Sequence, residues 1–473
     1  MFEYLSFLRP PPERCALGQP VTLVPQIAND LRTELCEDQY DIYFTWQHSN
    51  GHLHRGNFTK LTTWRPGGMY KPLSIALPAV AQPGECWRLC LVVVQPGRNP
   101  SLMLDLSQPT FGDFPFPVTS MPIDIVVSDT VADRPALSST SAGSKHIKKS
   151  RQTKPTSIKP SRKGTAVGNA EHTTQTSQSN APKQERIERF YLLPPSPDPT
   201  ASRTMCITEQ TSFDLDKKIW DSGVAVSAWL ARLLDTRTEL AASEANTTHP
   251  KLVNCLRNRL IHLESRGGRT LQIIELGAGT GLVSLVLGAL LFPVVQPLST
   301  ATIHVRILAT DLASAIELIE HNRDTNKHLL QGSSSNDEEQ DQAPLIELRG
   351  IELDWDKPIA DDIWYKELET GSVCPFDIIV MADVTYNTAS FSALLDTVVA
   401  LLNGPGSSSS SPMILLAYKC RDAAERTLWR DAAARGVSFV QIDSARGAGE
   451  PAVEIWLGGW EKDVSSLWGK EQK

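Results

Sequence analysis

The sequence predicts an α/β protein: a Rossmann-like seven-stranded sheet, preceded by a small all-β domain and a disordered linker. Three observations carry this. Residues 205–473 alternate short apolar runs with longer helical stretches. Residues 1–130 hold several period-2 segments and no helical stripe. Residues 131–204 between them are a basic stretch rich in Ser, Thr and Pro. At 473 residues, two domains and a linker is the expected count.

In the first region Ile42, Phe44 and Trp46 alternate with Asp41, Tyr43 and Thr45, and Trp87, Leu89 and Leu91 alternate with Arg88 and Cys90. Val21–Val24, Leu73–Leu77 and Ile123–Val127 fit the same period. Such strands suggest a small antiparallel sandwich, immunoglobulin-like in its central Trp46 but lacking the Cys–Trp–Cys spacing of that fold. No chemistry is legible here. His52 and His54 lie in a polar loop and read as solvated.

The linker has too few large apolar side chains to offset its ordering entropy. Eight Lys/Arg and no acid fall between Lys145 and Lys163, although the whole chain carries a net charge of −8. The stretch fits a nuclear address, a tether for an acidic partner, or a solvated spacer. The acidic remainder argues against a body that binds nucleic acid. No apolar run reaches membrane-spanning length, and the first ten residues lack a signal-peptide pattern. Eight scattered cysteines form no zinc-type pattern, so no metal is expected. The expectation is reduced thiols in a cytoplasmic protein, one that also enters the nucleus if the basic stretch is an address.

In the last region strands are expected near 271–276, 305–310, 345–351, 376–382, 413–418, 437–442 and 452–457. Helices are expected near 215–235, 279–291, 313–330, 388–402 and 421–435. Gly332–Ala343 and Asn403–Pro412 read as surface inserts. Ligands of open α/β sheets bind beyond the carboxyl ends of the strands, so those ends are where chemistry is sought. The first ends Glu275-Leu276-Gly277-Ala278-Gly279-Thr280-Gly281. This E-x-G-x-G-x-G differs from the dinucleotide fingerprint and puts an acid where a cationic or amino-bearing ligand would sit, which favours S-adenosylmethionine over NAD. The second ends in Asp311, a carboxylate able to take both hydroxyls of a ribose, and equally an ordinary helix cap. Asp354 and Trp355 follow the third, and Asp383-Val384-Thr385-Tyr386 the fourth. Trp220-Asp221 precedes a helix that would cover the pocket. A lone Trp is more often core, but acids and aromatics at four successive strand ends together read as a nucleoside pocket.

These residues, in this order, resemble the seven-stranded S-adenosylmethionine-dependent methyltransferases over about 205–460. More narrowly, they resemble the methyltransferase-like 21 group of protein-lysine methyltransferases. The narrower likeness rests on Trp220-Asp221, Glu275–Gly281, Thr310-Asp311 with Asn322 and Asn326, Leu353-Asp354-Trp355 and the D-x-x-Y of Asp383 and Tyr386. The resemblance implies S-adenosylmethionine as cofactor. Glu275, Gly277, Ala278, Gly279 and Gly281 would form its glycine turn, Asp311 would hold the ribose and Trp355 would lie against adenine. Asp354, Trp220 and Ala382 would complete the pocket, with Asp383 and Tyr386 facing an incoming lysine. It implies a protein substrate, such as an ATPase or chaperone. Other acceptors (Arg, His, a small amine) and a non-catalytic interaction protein are the alternatives. The N-terminal sandwich would dock substrate or partner.

Overall fold

A computed structural model describes residues 1–51, 58–68, 71–94, 99–127, 182–196, 202–211, 215–235, 249–263, 269–296, 304–331, 345–366, 373–405, 411–449 and 451–468. The basic stretch, His52 and His54, all of Gly332–Ala343 and half of Asn403–Pro412 lie outside these residues.

The N-terminal region is a sandwich, as its period-2 segments predict. Its smaller sheet joins Tyr4–Arg9, Val21–Ala28 and Leu73–Ile75, all antiparallel. The larger is built around Cys86–Val93, which pairs with Tyr40–His48 on one side and with Ile123–Val126 and Val118–Ser120 on the other. Leu5, Leu23 and Ile27 of one sheet and Ile42, Leu89, Leu91 and Ile123 of the other form its core. Trp46 and Trp64 are buried there, and each indole N–H donates to a backbone carbonyl, of Ala76 and Cys36 respectively.

The linker boundary requires correction. Arg186–Leu192 and Thr204–Gln210 form an antiparallel hairpin that extends the larger sheet, so the linker does not run to residue 204. The reason is visible in the sequence afterwards. Ile187, Tyr191, Met205 and Ile207 are buried to 0 % exposure, whereas the preceding basic stretch has nothing comparable to bury.

The C-terminal region forms one seven-stranded sheet. Its strands are β1 (Leu271–Leu276), β2 (Val305–Asp311), β3 (Ile346–Glu352), β4 (Ile378–Ala382), β5 (Met413–Lys419), β6 (Val437–Ala445) and β7 (Val453–Trp460). Their order is β3-β2-β1-β4-β5-β7-β6, parallel except for β7, which runs antiparallel to both neighbours. The central strands are apolar on both faces because helices cover both. On one face lie α1 (Asp221–Leu233), α2 (Pro250–Ile261), α3 (Leu282–Val295) and α4 (Ala313–Thr325). On the other lie α5 (Phe391–Leu402) and α6 (Thr427–Ala433), while α7 (Glu461–Trp468) returns to the first. Among the described residues no helix is long and apolar enough to cross a membrane.

The sequence reading omits α2 and α7. In α2 Leu252, Val253, Leu256 and Leu260 make a helical stripe behind Pro250 at the first turn. The expected helix 215–235 is a 3₁₀ turn, Leu215–Lys217, followed by α1.

The two regions share one core: Phe2, Tyr4, Leu106, Phe116, Tyr191 and Ile207 cluster with α1, α3 and the sheet. Two asparagines tie the hairpin down. Asn326 Oδ1 accepts from Cys206 N–H at 2.8 Å and its Nδ2 donates to Cys206 C=O at 2.6 Å. Asn322 treats Thr208 the same way, at 2.9 and 3.0 Å. Residues four apart on a helix lie on one face, and residues two apart on a strand point to one side. The N-x-x-x-N spacing therefore makes a side-chain ladder along the strand.

Candidate functional site

The order of the strands reverses between β1 and β4, the switch point where ligands of such sheets bind. A cleft of about 300 Å³ opens there. It is lined from the ends of β1, β2 and β4, from the segment after β3, and from the turn before α1.

Three glycines follow β1, and two of them, Gly277 and Gly279, shape the floor of the cleft. Gly277, Gly279 and Gly281 have φ of 66°, 57° and 77°, a region that side-chain-bearing residues occupy at a cost. A Cβ on Gly277 would stand 2.6 Å from Val384 Cγ1. Gly281 departs from the expectation, since it does not line the cleft. It precedes α3, and its missing side chain lets Ile319 of α4 approach, with a Cβ there 3.3 Å from Cγ2. Its role is helix packing.

Glu275 and Asp311 both line the cleft. Glu275 Oε2 accepts from the N–H and hydroxyl of Ser284 in the first turn of α3, and burial raises its carboxyl to about 7. Asp311 accepts from Gly279 N–H and Leu312 N–H, both at 2.7 Å, and burial raises it to about 6. Neither forms an ion pair among the described residues. A cleft walled by two buried carboxylates that form no ion pair among the described residues is matched to a cationic ligand bearing hydroxyls.

Trp355 and Asp354 follow β3. Trp355 packs half-buried on the core behind β4, while Asp354 pairs at the surface with Lys357 at 3.1 Å. Ala382 ends β4 and Asp383 follows it, and Tyr386 stands 52 % exposed at the mouth. The Tyr386 ring lies parallel to Trp220, 8° off, with centroids 6.5 Å apart. Asp383 is buried with φ 59°, unusual for a residue with a side chain. Its Oδ2 accepts from Ser222 N–H at 3.1 Å and from Arg421 Nη2 at 2.8 Å. It thus serves a helix N-terminus, but that of α1, whereas the turn before α5 is capped by Asn387. Burial raises its carboxyl, while Arg421 acts against that.

A buried ionic cluster behind Asp383 is missing from the sequence reading. Lys419 Nζ lies 2.7 Å from Asp221 Oδ2 and 3.3 Å from Asp30 Oδ1. Arg421 reaches both Asp30 and Asp383. Asp221 also accepts from Phe2 N–H at 3.0 Å and Tyr4 O–H at 2.9 Å. Burial, then the nearby Asp30, raises its carboxyl to about 6. Burial of Asp30 works the other way from its partners, and Arg421 and Lys419 prevail, holding it below the usual range. The available signal was the pair Lys419, the last residue of β5, and Arg421, two positions beyond it. Nothing in the sequence ties them to Asp30.

The sheet order, the glycine turn and the carboxylate-walled cleft are those of the S-adenosylmethionine-dependent methyltransferase fold. Residues 199–433 match the model of a family described as lysine methyltransferase. Solved structures of similar fold include a methyltransferase from Pyrococcus furiosus, 12 % identical at a TM-score of 0.26, covering 46 % of this chain and 86 % of that one. Another is the P. horikoshii TYW2 in complex with MeSAdo, 12 % identical at a TM-score of 0.23 over 43 % and 62 %. A third is the glycopeptide N-methyltransferase MtfA complexed with sinefungin, 12 % identical at 0.26 over 42 % and 85 %. No curated protein matches the chain.

Proposed function

We propose that this chain transfers a methyl group from S-adenosylmethionine to a lysine side chain of a protein substrate. The observation that carries the reading is the meeting of the glycine turn, Asp311, Trp355, Asp383 and Tyr386 on one cleft wall, in a segment that matches a lysine methyltransferase family.

The cofactor would be held by Gly277 and Gly279 beneath, by Glu275 and Asp311 through its cationic and hydroxyl groups, and by Trp355 at its base. When bound it supplies a methyl group on a sulfonium, already activated for displacement. What remains for the protein is to orient an amine lone pair and exclude competing geometries. An ammonium has no lone pair, so the acceptor must be neutral at the moment of transfer. Arg421 beside Asp383 disfavours a second cation there, and both bonds to Asp383 fall on Oδ2, leaving Oδ1 for an incoming N–H. The parallel rings of Trp220 and Tyr386 would flank the four-carbon stem of the lysine, with the exposed Tyr386 at the entrance.

The test uses methyl-labelled S-adenosylmethionine, a protein extract and residue-resolved mass spectrometry, with wild type beside Asp383→Asn. The expected outcome is labelled methyl-lysine with wild type and a loss of at least about 100-fold in the variant, which still binds S-adenosylhomocysteine. Label on arginine, histidine or small amines would refute the acceptor assignment. Wild-type turnover in Asp383→Asn would remove that carboxylate from the chemistry.

A further inference from the structure

The cation that holds Asp383 is itself held from outside the methyltransferase sheet. Asp30 sits in a tight loop after the strand Val21–Ala28. There Asn29 Oδ1 accepts from the N–H groups of Thr33 and Glu34, at 3.0 and 3.3 Å, and Arg32 has φ 60°. The loop delivers a side chain of 0 % exposure to the junction of α1 and β5. Asp30 Oδ2 accepts from Asp221 N–H at 3.2 Å, in the first turn of α1, whose own N-cap Trp220 makes no side-chain capping bond. Both arms of the Arg421 guanidinium meet it, Nη1 at 3.2 Å and Nη2 at 2.9 Å. That same Nη2 is the donor to Asp383, and the guanidinium stands 5.1 Å over Trp220, which stacks on Tyr386.

We propose that Asp30 is a positioning residue of the active site, fixing Arg421 in the orientation that holds Asp383 and the Trp220–Tyr386 pair on the cleft wall. The inference rests on the methyltransferase reading of that cleft. A two-armed carboxylate contact sets both the place and the plane of a guanidinium, which a single contact does not. Without it, Arg421 can turn towards Asp383 alone or towards solvent, and the Asp383 carboxylate loses its fixed direction. The charged and titratable groups facing Asp383 are Arg421 and Lys419, the carboxylates of Asp30 and Asp221, and the Tyr386 phenol. Removing the Asp30 charge leaves Arg421 to Asp383 alone, so the Asp383 carboxyl ionises at lower pH.

The test compares full-length wild type, Asp30→Asn and Asp30→Glu, with Glu188→Gln as a control. Glu188 forms a buried ion pair with Arg88 at 2.7 Å within the N-terminal sheet. The readouts are S-adenosylhomocysteine calorimetry, melting temperature and transfer of labelled methyl into a protein extract across a pH series. Asp30→Asn is expected to bind S-adenosylhomocysteine within about twofold of wild type while turnover falls at least about tenfold. The acid limb of its pH profile moves to lower pH, and Asp30→Glu recovers part of the rate. Glu188→Gln lowers the melting temperature with turnover unchanged. Wild-type turnover and pH profile in Asp30→Asn overturn the proposal, as does a loss of cofactor affinity equal to the loss of rate.

If Asp30→Asn does not fold, Arg421→Lys keeps the charge and loses the fork. The same rate loss is expected there, and wild-type turnover overturns the proposal. Failure of wild type to bind S-adenosylhomocysteine refutes the methyltransferase reading instead. The geometry is then decided by a double-mutant cycle of Asp30→Asn and Asp383→Asn in denaturant. Non-additive midpoint shifts are expected, because the two carboxylates share Arg421, and additive shifts overturn the proposal.

Discussion

Cofactor affinity should fall with pH, and Asp311 sets where. Two backbone N–H groups reach this carboxylate at 2.7 Å, yet burial outweighs them and raises it to about 6. A ribose diol can donate both hydroxyls only to the ionised form. Binding that selects the carboxylate therefore weakens as pH drops through about 6 and is pH-independent well above it. At about pH 8 nearly all of the group is ionised and at about pH 5 roughly one-tenth, so affinity for S-adenosylhomocysteine should fall about tenfold, or about 1.4 kcal/mol. Glu275, raised to about 7, adds a second loss of the same sign if it meets the ligand amine in its charged form. Calorimetry in buffers of different ionisation enthalpy separates the two, because protons released on binding are read directly. In Asp311→Asn the step near pH 6 should vanish and affinity at high pH should drop. A flat affinity for wild type between about pH 5 and 8, or an unchanged pH step in Asp311→Asn, would refute the assignment of Asp311 to the ribose.

Two further substitutions test the frame. Gly277→Ala places a Cβ 2.6 Å from Val384 and keeps a left-handed backbone, at a combined cost of about 2–4 kcal/mol; the expected result is a lower melting temperature and loss of S-adenosylhomocysteine binding in calorimetry. Asn322→Ala leaves the N–H and C=O of Thr208 and the C=O of Thr280 without that partner in a buried site, which should cost about 3 kcal/mol in the denaturant midpoint.

Local pattern was a good guide to the methyltransferase sheet because its central strands are buried on both faces and their turns carry their own chemistry. Residues of the expected cleft were legible for the same reason. Strand ends of a parallel sheet share one rim, so Glu275, Asp311, Trp355 and Asp383 converge by topology alone. Gly281 was misplaced because a motif does not say which of its glycines faces ligand and which faces a helix. The hairpin at 186–210 was lost because its apolar residues follow a long polar stretch and its partners, Asn322 and Asn326, come more than a hundred residues later. Asp30 was out of reach altogether. In its own segment it is one polar residue in a loop, and only packing brings it to Arg421, 391 positions away.

The same contacts change what the N-terminal region is. As a docking module it would be removable, with methylation of a short peptide spared. Yet Phe2 N–H and Tyr4 O–H bind Asp221, Asp30 binds Arg421 and the first amide of α1, and the apolar core runs without interruption from Phe116 and Tyr191 into α1 and β1. Removing that region would leave Lys419, Arg421 and Asp221 beside Asp383 with one carboxylate missing. Uncompensated buried charge is among the costlier defects a fold can carry. A truncated chain would therefore lose activity towards peptide and protein alike, and its failure would say nothing about docking. Point substitution at Asp30 separates the two roles, because it alters the wiring to Asp383 and leaves the sandwich surface in place.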